Sequence, residues 1–297
     1  MRNDSRIGYA SQSKWTFHRP IRYNTSAMQT LYIVATPIGN KGDITLRAMR
    51  TLNDVGLIAA EDTRRTGRLL SMCGISKAMI SYNEQTKRSK LPYLLKQLET
   101  IDVALVSDAG TPGMSDPGYE LIKAAIDNGI EVVPIPGPSA IITAVVVSGL
   151  PTNEFTYLGY LPRLKGQRVK FLERVVDEPR TLVIFEAPHR MESALKDILT
   201  VMGDRRIAVC REMTKLYEEV YRGKVSGAIE YFEEMRGEFT LVIEGKTKEK
   251  VDTAFVEKEL RCLRKDGVSA KDAVTRTAKS SGLSKKAVYQ MWLGLKK

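Results

Sequence analysis

Three loops rich in glycine and proline are the segments whose residue types and spacing point to ligand binding. Glycine lets a backbone approach a ligand closely, and proline holds a loop in one shape. None of them contains G-x-G-x-x-G or a G-K-S/T phosphate loop, which disfavours dinucleotide hydride transfer and P-loop phosphate chemistry. Ordinary turns would explain any one loop, but three at strand ends predict a cofactor site. The loops are 35–43 (ATPIGNKGD), 107–118 (SDAGTPGMSDPG) and 134–140 (PIPGPSA).

Short apolar strands alternate with helix-length segments around these loops, and this alternation predicts an α/β fold. A first series in residues 28–150 gives a parallel sheet covered by helices, with ligands expected at the carboxyl ends of its strands. The predicted strands are 31–35, 57–61, 78–81, 103–107 and 131–135. After the interruption at 149–151, a second series of strands and helices predicts a second α/β domain over 151–245.

The C-terminal segment 246–297 predicts a small domain of three short basic helices. Gly267 and Gly282 separate the helical stretches, and Ser269 and Ser284 are natural N-caps. Three helices joined by tight turns resemble a helix-turn-helix module. Residues 1–27 are expected to be a leader outside the folded body, either disordered or a product of start-site choice, with the native start at Met28.

The net charge of +11 is distributed unevenly along the chain. Residues 1–27 carry +4 and residues 246–297 carry +8, so the body between them is close to neutral at −1. A near-neutral body with a basic extension is expected when a catalytic core is delivered to a polyanion such as a nucleic acid. A surface that only improves solubility is the alternative interpretation.

The composition disfavours several other classes of protein. The three cysteines are widely spaced and only two histidines are present, which argues against a disulfide framework or a metal site and suits a reducing compartment. Apolar runs such as 140–147 are far shorter than the roughly 20 residues needed to span a bilayer. We therefore expect a cytoplasmic protein with no metal and no membrane span.

Five segments of this chain resemble the ribosomal RNA small subunit methyltransferase I family, which is part of the tetrapyrrole methylase superfamily. They are 31–40 (LYIVATPIGN), 60–64 (AEDTR), 107–118, 136–140 (PGPSA) and 185–190 (FEAPHR). The resemblance implies two α/β domains of the tetrapyrrole methylase (class III methyltransferase) type, a C-terminal helix-turn-helix-like domain and a homodimer. It also implies methyl transfer from S-adenosylmethionine to the ribose 2′-oxygen of a cytidine in the decoding region of 16S rRNA in the small ribosomal subunit.

The same resemblance implies that S-adenosylmethionine folds into a cleft between the two α/β domains. The Asp108 carboxylate suits the α-amino group of the cofactor, although capping of the following turn is an alternative role. The stretch 237–241 is expected to close over the adenine. The expected cofactor-binding residues are Pro37, Ile38, Gly39, Asp108, Ala109, Gly110, Thr111, Ser139, Ala140, Glu186, Ala187 and Pro188.

Transfer to a ribose hydroxyl needs alignment and a base or a nearby charge that eases deprotonation. Charged residues after the second predicted strand, and others at the start of a helix in the second domain, are candidates for this role. Asp62 has the alternative of capping the helix that follows it, and no single general base is selected. The catalytic candidates are Glu61, Asp62, Arg64 and His189.

Basic residues on loops and on the C-terminal helices are candidates for contact with RNA. Each cluster alone is as well explained by a solvated surface, but together they could form one positive track. The candidates are Arg65, Arg68, Arg163, Lys165, Arg168, Lys170, Arg190, Lys285 and Lys286.

Two other functions stay open. A tetrapyrrole methyltransferase acting on a small precorrin-type molecule would also use basic residues, but the first loop departs from the G-x-G-x-G-D form typical of those enzymes. The basic tail would have no purpose in such an enzyme. A non-catalytic RNA-binding module is the second alternative, and the three complete cofactor loops argue against it.

Overall fold

The computed structural model of the protein describes residues 29–232, 235–246 and 253–295. The predicted leader, residues 1–27, lies outside the described residues. The described residues divide into two compact units. The first comprises residues 29–36 and Ile44–Gly137, and the second comprises Pro37–Asp43 and the described residues from Pro138 onward. No helix in the described ranges is long and apolar enough to cross a membrane.

The first unit is built on a parallel five-stranded sheet. Its strands are β1 (Thr30–Val34), β2 (Leu57–Ala60), β3 (Met79–Ser81), β4 (Val103–Val106) and β5 (Glu131–Ile135). They pair in the order β3-β2-β4-β1-β5, and every pairing is parallel. The helices of this unit are α1 (Leu46–Asp54), α2 (Thr63–Met72), α3 (Lys87–Gln97) and α4 (Tyr119–Asp127). The predicted parallel sheet covered by helices is confirmed.

Both faces of this sheet are buried, as a parallel sheet requires. Leu57 and Ala59 of β2 belong to the core that contains side chains of α3 and α4. Ile58 and Ala60 of the same strand belong to the core that contains side chains of α1 and α2. Because all five strands run in one direction, their carboxyl ends share one edge of the sheet, and the loops that follow β2 and β4 are direct neighbours there.

The second unit begins with α5 (Ala140–Ser148) and contains a mixed five-stranded sheet. The strands are β6 (Phe155–Tyr160), β7 (Thr181–Glu186), β8 (Arg206–Arg211), β9 (Glu219–Lys224) and β10 (Phe239–Ile243). They pair in the order β6-β7-β10-β8-β9, in which β6 and β7 are parallel and the other pairs are antiparallel. Helices α6 (Lys165–Val175), α7 (Pro188–Met202) and α8 (Val225–Tyr231) contribute side chains to the core on one face.

Helix α5 covers the opposite face of the second sheet. Its residues Ile141, Ala144 and Val145 pack with Val183 of β7 and Val242 of β10. This helix has no counterpart among the sequence predictions, because nearly all of its residues are apolar and no amphipathic period marks it. It lies within residues 28–150 and yet packs on the second sheet. The domain limits at 150 and 245 stay predictions.

The C-terminal helices α9 (Thr253–Lys265), α10 (Ala270–Ser281) and α11 (Lys285–Gly294) have a core of their own. Ser284 caps α11 by accepting a hydrogen bond from the backbone N–H of Ala287 at 3.2 Å. Gly282 ends α10 with a φ of 70°, a left-handed conformation that favours glycine. The predicted module of three helices with tight turns is confirmed.

A buried ion pair joins α6 to α7 in the second unit. The Arg168 guanidinium lies 2.6 Å from the Asp197 carboxylate, and both side chains are less than a tenth exposed. The same guanidinium donates to the backbone oxygen of Arg163 at 3.3 Å. Loss of either partner would destabilise the packing of α6 against α7, because a buried charge without its counter-charge is costly.

We expect Asp197→Ala to destabilise this helix pair by about 3–5 kcal/mol, because Arg168 would stay buried without a counter-charge. Hydrogen exchange measured over α6 and α7 reports the local free energy of opening. Lys196→Ala is the matched control, because it removes an exposed ion pair from the same helix and should change that free energy by less than about 1 kcal/mol. Equal effects of the two substitutions would contradict the assigned role of the buried pair.

Candidate active site

Two reciprocal hydrogen bonds join the loops that follow β2 and β4 in the first unit. The backbone N–H of Asp108 donates to Glu61 Oε2 at 3.1 Å, and the backbone N–H of Asp62 donates to Asp108 Oδ1 at 3.1 Å. Each loop thus supplies a carboxylate to the other loop's main chain. We call this arrangement the carboxylate lock. The Asp108 carboxylate thus reaches across to the neighbouring strand end.

The loop 107–118 is also fixed to the end of β1. Thr36 and Gly110 exchange backbone hydrogen bonds of 2.9 and 3.0 Å, and the Thr36 hydroxyl donates to the Ser107 carbonyl at 3.1 Å. Gly110 has a φ of 75°, a backbone conformation that glycine adopts without a steric penalty. The loop is therefore held on both sides, by the carboxylate lock on one and by Thr36 on the other.

Glycine is required within this loop by close contacts of the protein with itself. Gly118 has a φ of 149°, and a Cβ atom there would lie 3.0 Å from Leu105 Cδ2 and 3.1 Å from the Gly113 backbone nitrogen. Ser115 also has a positive φ of 64°, which costs energy for a residue with a side chain. The sequence interpretation assigned the glycines to close approach of a ligand, and the structure shows that Gly118 first of all permits the loop to fold.

Three carboxyl groups at this edge have raised pKa values. Burial is the main cause for Glu61 and for Asp108, and it is partly offset by a backbone hydrogen bond at Glu61 and by Arg65 at Asp108. Burial and the negative charge of Glu61 raise the pKa of Asp116 to about 7. The Arg65 guanidinium lies 3.2 Å from the Asp108 carboxylate. Asp116, with its pKa of about 7, can accept or release a proton near neutral pH.

Asp62 has the opposite electrostatic character. Its carboxylate is paired with the Arg64 guanidinium at 2.8 Å and accepts the backbone N–H of Arg64 at 2.8 Å. These hydrogen bonds hold the pKa of Asp62 well below its usual range. Asp62 is also the N-cap residue of α2, so the alternative role considered for it in the sequence analysis is present in the structure.

An open pocket of about 470 Å³ lies at the carboxyl ends of β2 and β3. The loop after β2 contributes the catalytic candidates Glu61, Asp62 and Arg64, which the fold therefore brings together. The loop after β3 contributes residues that the sequence analysis missed. The pocket is lined by Glu61, Asp62, Thr63, Arg64, Ser81, Asn83, Glu84 and Gln85.

Asn83 holds the loop after β3 in shape. Its Oδ1 accepts the backbone N–H groups of Gln85 and Thr86 at 3.1 and 3.0 Å, and its Nδ2 donates to the Ser81 hydroxyl at 3.1 Å. An asparagine two residues after a strand, with a threonine three residues later, is a turn signal that could have pointed to this loop. The strand itself is predicted at 78–81, but the polar residues after it belong to none of the three Gly/Pro-rich loops.

The first loop contributes to the second unit rather than to the first. Ile38 is buried in the core that contains α5, and the backbone N–H of Asn40 donates to the Thr214 hydroxyl at 2.9 Å. A Cβ atom on Gly39 would lie 2.5 Å from Lys215 Cγ. This glycine is therefore needed for packing against the turn at 213–215. Pro37 and Ile38 are buried, so their expected cofactor contacts stay predictions.

Glu186 ends β7 with a fully buried side chain. Its carboxylate pairs with Arg190 and accepts the backbone N–H of Ala187 at 2.8 Å, whereas Oε2 has no hydrogen-bond partner within the described chain. The expected contact of Glu186 with the cofactor stays a prediction. Pro188 is the first residue of α7, where the missing N–H of proline is tolerated. His189 is exposed beside it.

Two arginines that were expected to contact RNA form ion pairs within the protein instead, and this corrects the prediction for both of them. Arg168 is 4% exposed and paired with Asp197. Arg190 is paired with Glu186 and donates to the Leu161 carbonyl at 3.1 Å, with only 13% of its side chain exposed. A phosphate cannot reach either guanidinium without breaking a buried ion pair. The other candidates are exposed, namely Arg65, Arg68, Arg163, Lys165, Lys170, Lys285 and Lys286.

The remaining cofactor candidates lie at the starts of loops or helices. Ala109 and Thr111 flank Gly110 in the loop 107–118 and are partly exposed. Ser139 is the N-cap residue of α5, although its side chain makes no capping hydrogen bond, and Ala140 is the first residue of that helix. Their contacts with a cofactor stay predictions.

Comparison with known proteins identifies the family. A model of the Tetrapyrrole (Corrin/Porphyrin) Methylases matches residues 30–228, and a model of the RsmI C-terminal HTH domain matches residues 250–296. Ribosomal RNA small subunit methyltransferase I from Halalkalibacterium halodurans is 43% identical over 273 residues, covering 89% of this chain and 94% of the relative. The protein of the same name from Thermotoga maritima is 50% identical over 222 residues, covering 74% of this chain and 100% of the relative. This chain belongs to the ribosomal RNA small subunit methyltransferase I family.

Solved structures show the same architecture for this methyltransferase. A uroporphyrin III C-methyltransferase from Thermus thermophilus aligns with a TM-score of 0.53 at 19% identity, covering 72% of this chain and 97% of that one. A diphthine synthase aligns with a TM-score of 0.58 at 13% identity, covering 74% and 91%. At these identities the likeness shows the fold alone. The family model that matches residues 30–228 confirms the tetrapyrrole methylase type predicted for the two α/β domains.

The raised pKa of Asp116 predicts a pH-dependent stability of this methyltransferase. Its pKa of about 7 in the folded protein lies above the value of about 3.9 of an unfolded chain. The stability that this carboxyl contributes is therefore fully present below about pH 4 and is lost as pH rises through 7. We expect Asp116→Asn to raise the melting temperature relative to the wild type, with a difference that grows between pH 5 and pH 8.

The matched control for this measurement is Asp127→Asn. Asp127 is more than half exposed and paired with Lys123 on α4 of the same unit. We expect its substitution to give a melting-temperature difference that does not grow over this pH range. A difference for Asp116→Asn that stays constant between pH 5 and pH 8 would contradict the burial of this carboxyl.

Proposed function

We propose that this methyltransferase transfers a methyl group from S-adenosylmethionine to the ribose 2′-oxygen of a cytidine in the decoding region of 16S rRNA in the small ribosomal subunit. The observation that carries the proposal is the identity to relatives named for small-subunit ribosomal RNA, over nearly their whole length. The nucleotide, the acceptor atom and the region follow from the motif resemblance described above.

The loop 107–118 fits the amino-acid end of S-adenosylmethionine. The Asp108 carboxylate is partly exposed, accepts a hydrogen bond from the Asp62 backbone N–H and forms an ion pair with Arg65. An ionised carboxylate has about four acceptor positions. An ammonium group at this carboxylate would offset the burial that now raises its pKa. When bound, the cofactor supplies a methyl group activated by its sulfonium centre. Gly110 and Thr111 would hold the same part of the cofactor.

Glu61 is the residue best placed to receive the proton of the acceptor hydroxyl. It lines the open pocket, and burial raises the pKa of its carboxyl. Its carboxylate would accept the proton that the ribose hydroxyl loses when that oxygen is methylated. Asp62 is a weaker base, because Arg64 holds the pKa of Asp62 low. The Asp62–Arg64 pair would instead orient the ribose and a flanking phosphate.

The exposed arginines and lysines support an anionic substrate for this site. Arg64 and Arg65 have side chains that are 83% and 62% exposed, next to the open pocket and the carboxylate lock. A nucleic-acid phosphate close to them would gain charge-assisted hydrogen bonds. The likeness to the uroporphyrin III C-methyltransferase extends to the fold alone, so it does not favour the alternative of a small tetrapyrrole substrate.

The proposal includes a cytoplasmic homodimer. Cys73, Cys210 and Cys262 are free thiols, which suits a reducing compartment. On α5, Ile142 and Val146 are 51% and 69% exposed and lie one helical turn apart. A helix that is apolar all round is ordinarily covered on every side, and a second copy of the chain would cover this face.

The acceptor atom is tested with small ribosomal subunits from a strain that lacks this gene. After incubation with the protein and S-adenosylmethionine, the isolated 16S rRNA is hydrolysed with alkali. We expect one new nucleotide in the decoding region to resist cleavage, because a 2′-O-methyl group removes the hydroxyl that attacks the phosphate. The same subunits incubated without S-adenosylmethionine are the control. Incorporation of a methyl group at a position that alkali still cleaves would refute the ribose assignment.

A further inference from the structure

The outer face of α11 combines exposed lysines with an exposed aromatic ring. Val288 and Trp292 lie on the inner face and are buried in the core of the C-terminal helices. Tyr289 and Leu293, one turn apart, are 46% and 59% exposed. The exposed residues of this face are Lys285, Lys286, Tyr289, Gln290 and Leu293. Residues spaced by three, four and seven positions share one side of a helix, so this set forms a continuous strip.

The helix that carries this strip is firmly attached to α9. The Arg264 guanidinium stacks on the Trp292 ring with 5.4 Å between the guanidinium carbon and the ring centroid, and it donates to the Leu295 carbonyl at 2.7 Å. Ser284 caps the first turn of α11. The contacts of Arg264 hold the C-terminal end of α11 against α9, and Tyr289 is presented on the solvent side of the helix at little further cost in conformational entropy.

The charge of these helices favours an anionic partner. Residues 253–295 contain nine lysines and arginines against four aspartates and glutamates, a net charge of +5. Helix α11 has two lysines and no acidic residue. Both lysines lie in its first turn, where the helix dipole disfavours cations. Their position is therefore unfavourable for the helix itself and is explained by an external negative charge.

We infer that the outer face of α11 binds unpaired nucleotides of RNA, with one base stacked on Tyr289 and adjacent phosphates at Lys285 and Lys286. Exposed aromatic rings flanked by basic side chains are the combination by which proteins hold single-stranded nucleic acid. This inference rests on the proposed function for the nature of the RNA, and it adds the recognition element and the residue that the sequence analysis did not find.

Groove dimensions favour unpaired RNA over a duplex. A helix with its side chains is about 10–12 Å in diameter, which matches the roughly 12 Å width of the DNA major groove that helix-turn-helix proteins enter. The major groove of an RNA duplex is deep and narrow, and side chains cannot read it. Insertion of α11 into paired ribosomal RNA is therefore sterically disfavoured, whereas a splayed base in a loop can reach the Tyr289 ring.

The test measures binding of the full chain to a labelled unstructured RNA oligonucleotide and to a duplex of the same sequence. We expect Tyr289→Ala to lower the affinity for the single strand by about 5- to 150-fold, the range for loss of one base stack. Tyr289→Phe keeps the ring and should bind like the wild type. Tyr93→Ala is the matched control, since Tyr93 on α3 is also 46% exposed, and it should leave the affinity unchanged.

Salt dependence separates stacking from phosphate contact. Tyr289→Ala should leave the slope of log affinity against log salt concentration unchanged, because it removes no charge. Replacement of Lys285 and Lys286 by alanine should reduce the magnitude of that slope by about 1.4, since each phosphate contact with a single strand contributes about 0.7. Melting temperatures of all variants are measured alongside, and the exposed position of Tyr289 predicts no change.

Several results would overturn the inference. Wild-type affinity of Tyr289→Ala, an equal loss with Tyr93→Ala, or tighter binding of the duplex than of the single strand would each do so. Unchanged binding to free RNA with loss of binding to intact subunits would assign the face to a ribosomal protein instead. Methylation of small subunits is assayed separately with the wild type. If the wild type does not methylate small subunits but Tyr289→Ala weakens binding to single-stranded RNA, the proposed function is refuted and the inference about α11 is supported.

Discussion

The carboxylate lock between Glu61, Asp62 and Asp108 is the interaction on which the rest of the first unit's site depends. Two backbone N–H groups at the ends of neighbouring parallel strands point into the space beyond the sheet, where no further strand can satisfy them. Carboxylates from the opposite loops accept them, and this brings negative groups together at a partly buried edge. The raised pKa values of Glu61, Asp108 and Asp116 follow from that crowding and burial. The contacts that fix the loops after β2 and β4 therefore also help to set the pKa values of these carboxyl groups.

In both units, glycines and a carboxylate that suggest ligand binding are required by contacts within the protein itself. Gly39 is required by its approach to Lys215, and Gly118 by its approach to Leu105. The buried Glu186 side chain forms an ion pair with Arg190. A site assembled in this way presents main-chain groups and a few carboxylates to its ligands, while the side chains behind them are fixed in advance. Such preorganisation suits a reaction in which alignment supplies much of the acceleration.

Most of the fold follows from the periodicity of apolar residues, and the failures have physical causes. The five strands of the first sheet are short apolar runs bounded by Gly, Pro or polar residues, so all of them, β3 included, are visible in the sequence. Helix α5 is not, because its Ala, Ile and Val residues surround the helix and mimic a buried strand. Asn83 and Gln85 line the pocket beyond the predicted strand β3, but they belong to none of the loops or motifs that the sequence singles out. The burial of Arg168 could not be predicted from the sequence, because its partner Asp197 is 29 positions away along the chain.

We propose that Asp108 has two separable roles. Its carboxylate accepts the Asp62 N–H and so joins the two loops, and it binds the α-amino group of S-adenosylmethionine. The most direct test compares Asp108→Asn with Asp108→Ala, measuring S-adenosylmethionine affinity by calorimetry and exchange of the Asp62 amide hydrogen. Asparagine keeps an oxygen that can accept the Asp62 N–H but loses the charge. We expect Asp108→Asn to retain amide protection and to bind the cofactor about ten- to hundredfold more weakly, the cost of losing a charged hydrogen bond. Asp108→Ala should lose both properties. Wild-type cofactor affinity in Asp108→Asn, with the fold intact, would contradict the placement of the cofactor at this strand end.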